Sequence, residues 1–116
     1  MPLKKNEIIL KRLKGRTKIQ SLFENGEVYR SKSILLRLEK ENNLSFFAVA
    51  IAVSKKNFSR AVDRNYIKRL MRVALKKVGG EIGFSGSCII LYTGTRLPES
   101  NMLADQMKEL FEKAKS

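Results

Sequence analysis

Histidine is absent from this chain of 116 residues and cysteine occurs once. Without histidine there is no imidazole to serve as a general base near neutral pH, and the commonest nitrogen ligand of transition metals is missing. The single Cys88 excludes an intrachain disulfide and a paired-thiolate metal site. Inside the run Cys88-Ile89-Ile90-Leu91 it reads as a small buried hydrophobe and not as a nucleophile. No apolar run approaches the roughly 20 residues that span a bilayer, and the N-terminus lacks an apolar stretch followed by a small-residue cleavage site. Neither a G-x-x-x-x-G-K-[ST] loop nor a G-x-S-x-G elbow occurs. Acids are scarce as well, 11 against 24 cations. Glu7, Glu24, Glu27, Glu39, Glu41, Asp63 and Glu81 are scattered, and no two share a helix turn within the basic region, so no two-metal site or acid–base pair is evident. With no repeats and no low-complexity segment, the expectation is one soluble cytoplasmic domain over residues 1–116. No catalytic residue, bound metal or cofactor is expected in it, and no membrane partner.

What is there is positive charge, unevenly spread. The formal net charge is +13; residues 54–77 hold nine cations and one acid, and residues 1–18 hold seven and one, while the rest of the chain is close to neutral. Within Ser54–Lys77, the residues Ile67, Leu70, Met71, Ala74, Leu75 and Val78 recur at the spacing of one helical stripe. Turning about 100° per residue places Asn65, Lys68, Arg69, Arg72 and Lys76 on the opposite arc. The pattern predicts a helix from about 59 to 78, capped by Asn57 or Ser59 and ended by a left-handed residue at Gly79-Gly80. A cationic face is commonly just the solvated side of a helix. Here the interspersed acids are missing, and Lys55, Lys56, Arg60 and Arg64 add charge ahead of the apolar stripe, a degree of self-repulsion that calls for an anionic partner. Nucleic acid fits better than a membrane, because the apolar face is needed to cover a sheet.

The remaining chain supplies that sheet. The arm, residues 1–16, reads equally as a solvated tail or as a strap over RNA. Thr17-x-x-Gln20 has capping-box spacing ahead of Ile19, Leu22 and Phe23, which predicts a short helix ending at Gly26, with Phe23 most simply a core residue. Glu27–Arg30 is a short strand or turn. In the strand 33–40, Ile34, Leu36 and Leu38 face one side and Leu35 and Arg37 the other. After the turn signal Glu41-Asn42-Asn43, Phe47, Val49, Ile51 and Val53 alternate with Phe46, Ala48, Ala50 and Ala52. The alanine face is low, suited to close packing or to the floor of a groove. Ser87–Thr93 predicts a buried strand, and Leu103, Met107, Leu110, Phe111 and Ala114 predict a closing amphipathic helix with Ser100 as its candidate cap. The class is α+β: a two-layer sandwich, helix, three strands, helix, strand, helix, with the basic helix central.

Ala61-Val62-x-Arg64-Asn65-x-x-Lys68-Arg69-Leu70-x-Arg72, preceded by Val53-Ser54-Lys55-Lys56, resembles the signature A-V-x-R-N-R-x-K-R of the bacterial ribonuclease P protein subunit. The likeness extends through Arg12-Leu13-Lys14, the short helix, the strands and the last helix, nearly the whole chain. There are two departures: Tyr66 stands at the family's second arginine, and one additional residue lies between Lys56 and Ala61. The resemblance implies an endoribonuclease holoenzyme in which a catalytic RNA subunit holds the Mg2+ ions and performs cleavage, while this chain assists removal of the 5′ leader from precursor tRNA. It implies RNA-subunit contacts at Arg64, Asn65, Tyr66, Lys68, Arg69 and Arg72, and a leader-binding cleft with Phe23, Leu35, Arg37 and Lys56. The partners implied are the RNA subunit and precursor tRNA, with no obligate protein partner. The alternatives are a small structural RNA-binding protein of ribosomal type, which shares the basic helix, and a protein-only nuclease, which needs a carboxylate cluster that this sequence does not display.

Overall fold

In the computed structural model, which describes residues 9–41, 46–79 and 82–115, eight elements follow one another. They are β1 (Ile9–Arg12), α1 (Arg16–Asn25), β2 (Glu27–Arg30), β3 (Ile34–Lys40), β4 (Phe46–Val53), α2 (Ala61–Val78), β5 (Gly86–Tyr92) and α3 (Ser100–Lys115). The five strands form one mixed sheet in the order β1-β4-β5-β3-β2. β5 runs parallel to β4 and antiparallel to β3, and so fills the slot between two strands consecutive in sequence. Its residues Ser87 to Ile90 are buried on both faces, the environment that a near-continuous apolar strand requires.

The period of two in β3 and β4 divides the sheet as the sequence predicts. Ile34, Leu36, Leu38, Phe47, Val49 and Val53 join Cys88, Ile90 and Tyr92 on one face, covered by Ile67, Met71, Ala74 and Leu75 of α2 and by Leu103, Met107, Leu110 and Phe111 of α3. Phe47 is fully buried and meets Phe84 and Phe111 edge-on, with ring centroids 5.4 and 5.8 Å apart. On the opposite face a smaller cluster unites Leu13, Leu22, Ala48 and Ile89 beneath α1. The low alanine surface therefore serves close packing at Ala48, while Ala50 and Ala52 stay half-exposed.

Several local expectations give way to tertiary contacts. Residues 9–12 of the arm are a strand: β1 pairs in parallel with β4 from Phe46 to Val49, while residues 1–8 lie outside the described residues. α1 begins at Arg16 after Gly15, whose φ of 101° only glycine adopts easily, so Thr17 does not cap it. α2 begins at Ala61, with Arg60 at the cap position and no side-chain cap. Asn57 is occupied elsewhere, its amide donating to the carbonyls of Thr93 and Gly94 at 3.2 and 3.3 Å. Gly79 is helical, with φ −57°, and not left-handed. A Cβ there would lie 2.7 Å from Leu10 Cδ1, the end of a flexible side chain on β1. Gly80, Asn42 and Asn43 lie outside the described residues.

Candidate nucleic-acid interface

Two polar surfaces emerge on different parts of the molecule. The first is the outer arc of α2. Asn65, Tyr66, Arg69, Arg72 and Lys76 are exposed and Lys68 is half-buried. Among the described residues no carboxylate pairs with any of these cations; the ion pairs lie between α1 and the β3 end and along α3. β1 comes alongside, and Lys11 and Arg12 share with Lys68, Arg72 and Lys76 a groove of about 410 Å³. Five cations without an acid among the described lining residues focus a positive potential where phosphates can enter. Lys11, Arg12 and Lys76 are absent from the RNA contacts that the sequence resemblance implies. Lys76 was visible on the helical arc, whereas nothing local in Lys11-Arg12 says that this segment joins β4 and lies near α2.

Arg64 stands half-buried at the start of α2. Its guanidinium Nη1 donates to the carbonyls of Phe58 and Ser59 at 2.8 and 2.9 Å, bracing the turn that enters α2. Phe58, buried against Tyr92 with centroids 6.1 Å apart, anchors the same turn and holds the segment that carries the additional residue. Arg69 sits over the Tyr66 ring, 5.9 Å from its centroid, so the tyrosine at the family's arginine position presents a stacked cation and ring.

The second surface is the open part of the sheet beside α1. Phe23 is 53% exposed and is not a core residue. Its carbonyl accepts from Arg37 Nη1 at 3.0 Å, and the same guanidinium lies 5.3 Å from the ring centroid. Arg37 is opposite Val28 on β2 and Ile89 on β5, and Leu35 is opposite Arg30 and Leu91. Pairing of β5 with Ala50 and Ala52 extends this face. Phe23, Arg37 and Leu35 are thus brought together over a floor of half-exposed apolar groups. Lys56 is exposed in the turn beyond the Ala52 end of β4. Exposed Val28 and Arg30 belong to the same face and were missed, because the register of a four-residue strand is not readable from its sequence.

At the far end of this face Lys18 Nζ donates to Glu39 Oε2 at 3.1 Å and Glu41 Oε1 at 2.7 Å, and Ser21 Oγ donates to Glu39 Oε1 at 3.0 Å. Hydrogen bonds donated to Glu41 and Glu39 raise the pKa of Lys18, and the bond accepted from Lys18 lowers that of Glu39. Burial pushes the Cys88 thiol well above its ordinary range, in keeping with an inert core side chain. Among the described residues no three histidine, cysteine or carboxylate side chains stand together as a metal site, and no helix is long and apolar enough to cross a membrane.

Known proteins resemble this chain in sequence and in fold. The chain is 34% identical over 85 residues to the ribonuclease P protein component of Nitrosococcus oceani, covering 72% of this chain and 71% of that protein. It is 27% identical over 105 residues to that of a Pseudanabaena species, covering 90% of both. The fold matches the ribonuclease P proteins of Staphylococcus aureus and Thermotoga maritima. The TM-scores are 0.75 and 0.77 and the identities 22% and 18%, with 90% and 89% of this chain and 94% and 96% of theirs covered. The Ribonuclease P family profile matches residues 10–115, and the chain belongs to that family.

Proposed function

We propose that this chain acts as the protein component of a ribonuclease P ribonucleoprotein, joining a catalytic RNA subunit in removing the 5′ leader of precursor tRNA. The observation that carries this reading is the convergence of Lys11 and Arg12 of β1 with Lys68, Arg72 and Lys76 of α2 in one groove, lined by no carboxylate among the described residues. Guanidinium groups pair bidentately with phosphate oxygens, so this surface, with Asn65 and Arg69 beside it, positions the RNA subunit without reading its sequence. Arg64 serves the same surface by fixing the entry to α2. The open sheet face takes the single-stranded leader: a base can rest on Phe23, and the strand can lie over Leu35 under the charges of Arg37, Arg30 and Lys56. Holding the leader fixes the scissile bond relative to the RNA, where the Mg2+ ions and the chemistry reside in this reading. Neutralising crowded phosphates lowers the magnesium that the assembled enzyme needs. The working compartment in this reading is the cytoplasm.

The test is to add the pure protein to a catalytic ribonuclease P RNA at low magnesium and follow 5′ processing of precursor tRNA. Cleavage is expected only with both components, and at a magnesium concentration where the RNA alone is slow. Metal-dependent cleavage by the protein alone would overturn the division of labour. A ribosomal-type structural role predicts no effect on processing.

A further inference from the structure

The wall of the proposed leader cleft is a helix with little apolar anchorage. α1 has ten residues, too few to be stable by itself, and of its side chains only Leu22 is fully buried. Ile19 is half-buried and Phe23 points largely to solvent. Beside the apolar contact of Leu22 and Ile19 with Leu13, Ala48 and Ile89, its polar attachment among the described residues comes from β3 and from Glu41 just past its end. Arg37 and Glu39 occupy alternate positions of β3, and Glu41 continues the same period past its end, so the three project toward α1. The carboxylates take Lys18 and Ser21, one turn apart on the helix, and Arg37 takes the carbonyl of Phe23 near its end. Acid beside the first half of a helix and a cation at its C-terminal carbonyls also suit the helix dipole. The Lys18–Glu39 pair is sheltered, with side-chain exposures of 33% and 22%. Opposite Glu39 on β5, the buried Ser87 hydroxyl has no hydrogen-bond partner among the described residues.

We infer that Lys18, Ser21, Glu39 and Glu41 are positioning residues that clamp α1 to β3 and thereby set the width of the cleft in which the leader lies. The inference rests on the leader reading above and adds a mechanism to it. Ordinary electrostatics and the clamp predict opposite results for one substitution. Removing Glu39 and Glu41 makes the cleft more positive, which by charge alone tightens an RNA strand. Losing the clamp lets α1 swing away with Phe23, which weakens the strand.

The experiment has two arms. The chain contains no tryptophan, so the Phe23→Trp variant carries a single reporter on α1, and neutral acrylamide quenching reads its exposure in the free protein. In the second arm, assembled holoenzyme binds precursor tRNA and mature tRNA, and the ratio of affinities gives the leader's share. Glu39→Ala/Glu41→Ala is expected to raise quenching and to cut the leader's share roughly tenfold, as a displaced binding wall does. KM should rise with kcat little changed, affinity for the RNA subunit should be unaltered, and Lys18→Arg should behave like the parent. Unchanged quenching, or a leader share that rises with the added positive charge, overturns the clamp. If Phe23→Ala lowers the leader's share while the clamp variants leave it alone, the cleft stands and the clamp falls. If Phe23→Ala itself has no effect, the cleft assignment is wrong and the clamp's role in it is lost as well.

Discussion

Arg72 and Arg37 carry the same charge into opposite situations. Arg72 is exposed in the groove between α2 and β1, without an acid partner among the described residues. Arg37 is held by the Phe23 carbonyl and ring. Arg72→Ala is therefore expected to leave the fold intact and weaken RNA-subunit binding about tenfold, the scale of one charge-assisted contact. Arg37→Ala is expected to spare assembly and narrow the difference in holoenzyme affinity between precursor and mature tRNA. Equal losses for both ligands in the assembled Arg37→Ala enzyme would place the leader elsewhere. The arc of α2 was legible because helical periodicity alone orders Asn65, Lys68, Arg69, Arg72 and Lys76. Arg64 was legible only as a cation, since its two backbone acceptors depend on a turn pinned by Phe58.

Among the elements, β5 is the one whose entry is most sharply constrained. Gly86 has φ 143°, and a Cβ on it would run into the backbone carbonyl of Glu39. Gly86→Ala should therefore destabilise the sheet by about 1–3 kcal/mol, the cost of a strained backbone position, seen as a lower urea midpoint. An unchanged midpoint would mean that β5 starts differently. The α1–β3 contact gives a pH dependence. The pKa of Glu39 is lowered in the folded chain, chiefly by Lys18. Its contribution to stability is therefore present above the unfolded carboxylate range and is lost as pH falls through the lower folded value. Lys18, raised by the same bonds, keeps its contribution below its unfolded pKa and loses it only as the solution becomes strongly alkaline. Thermal unfolding of the parent and of Glu39→Gln should differ near pH 7 and converge in acid. A gap that persists at acid pH would assign the effect to packing instead of charge.

For the whole molecule, the net charge of +13 makes association with RNA a salt-dependent equilibrium. If about six to eight phosphates are neutralised, log affinity for the RNA subunit should fall with log salt at a slope of roughly −5 to −7, by analogy with duplex DNA. Titration across salt concentrations checks this, and a slope near zero would reduce the cationic arc to a solvated surface. The sequence by itself determined the α+β class, the two faces of β3 and β4, the buried and cationic sides of α2, and the family motif. Each is written in local periodicity or in a contiguous string of residues. Only the tertiary structure decided that residues 9–12 add an edge strand, that β5 enters between β3 and β4, and that α1 is fastened to the sheet by charges more than 20 residues away in the chain. Strand order and long-range ion pairs leave no periodic trace, because they are settled by which surfaces meet after the elements have formed. Both proposed RNA surfaces depend on such meetings: β1 brings Lys11 and Arg12 near α2, and the clamp beside Phe23 joins α1 to β3.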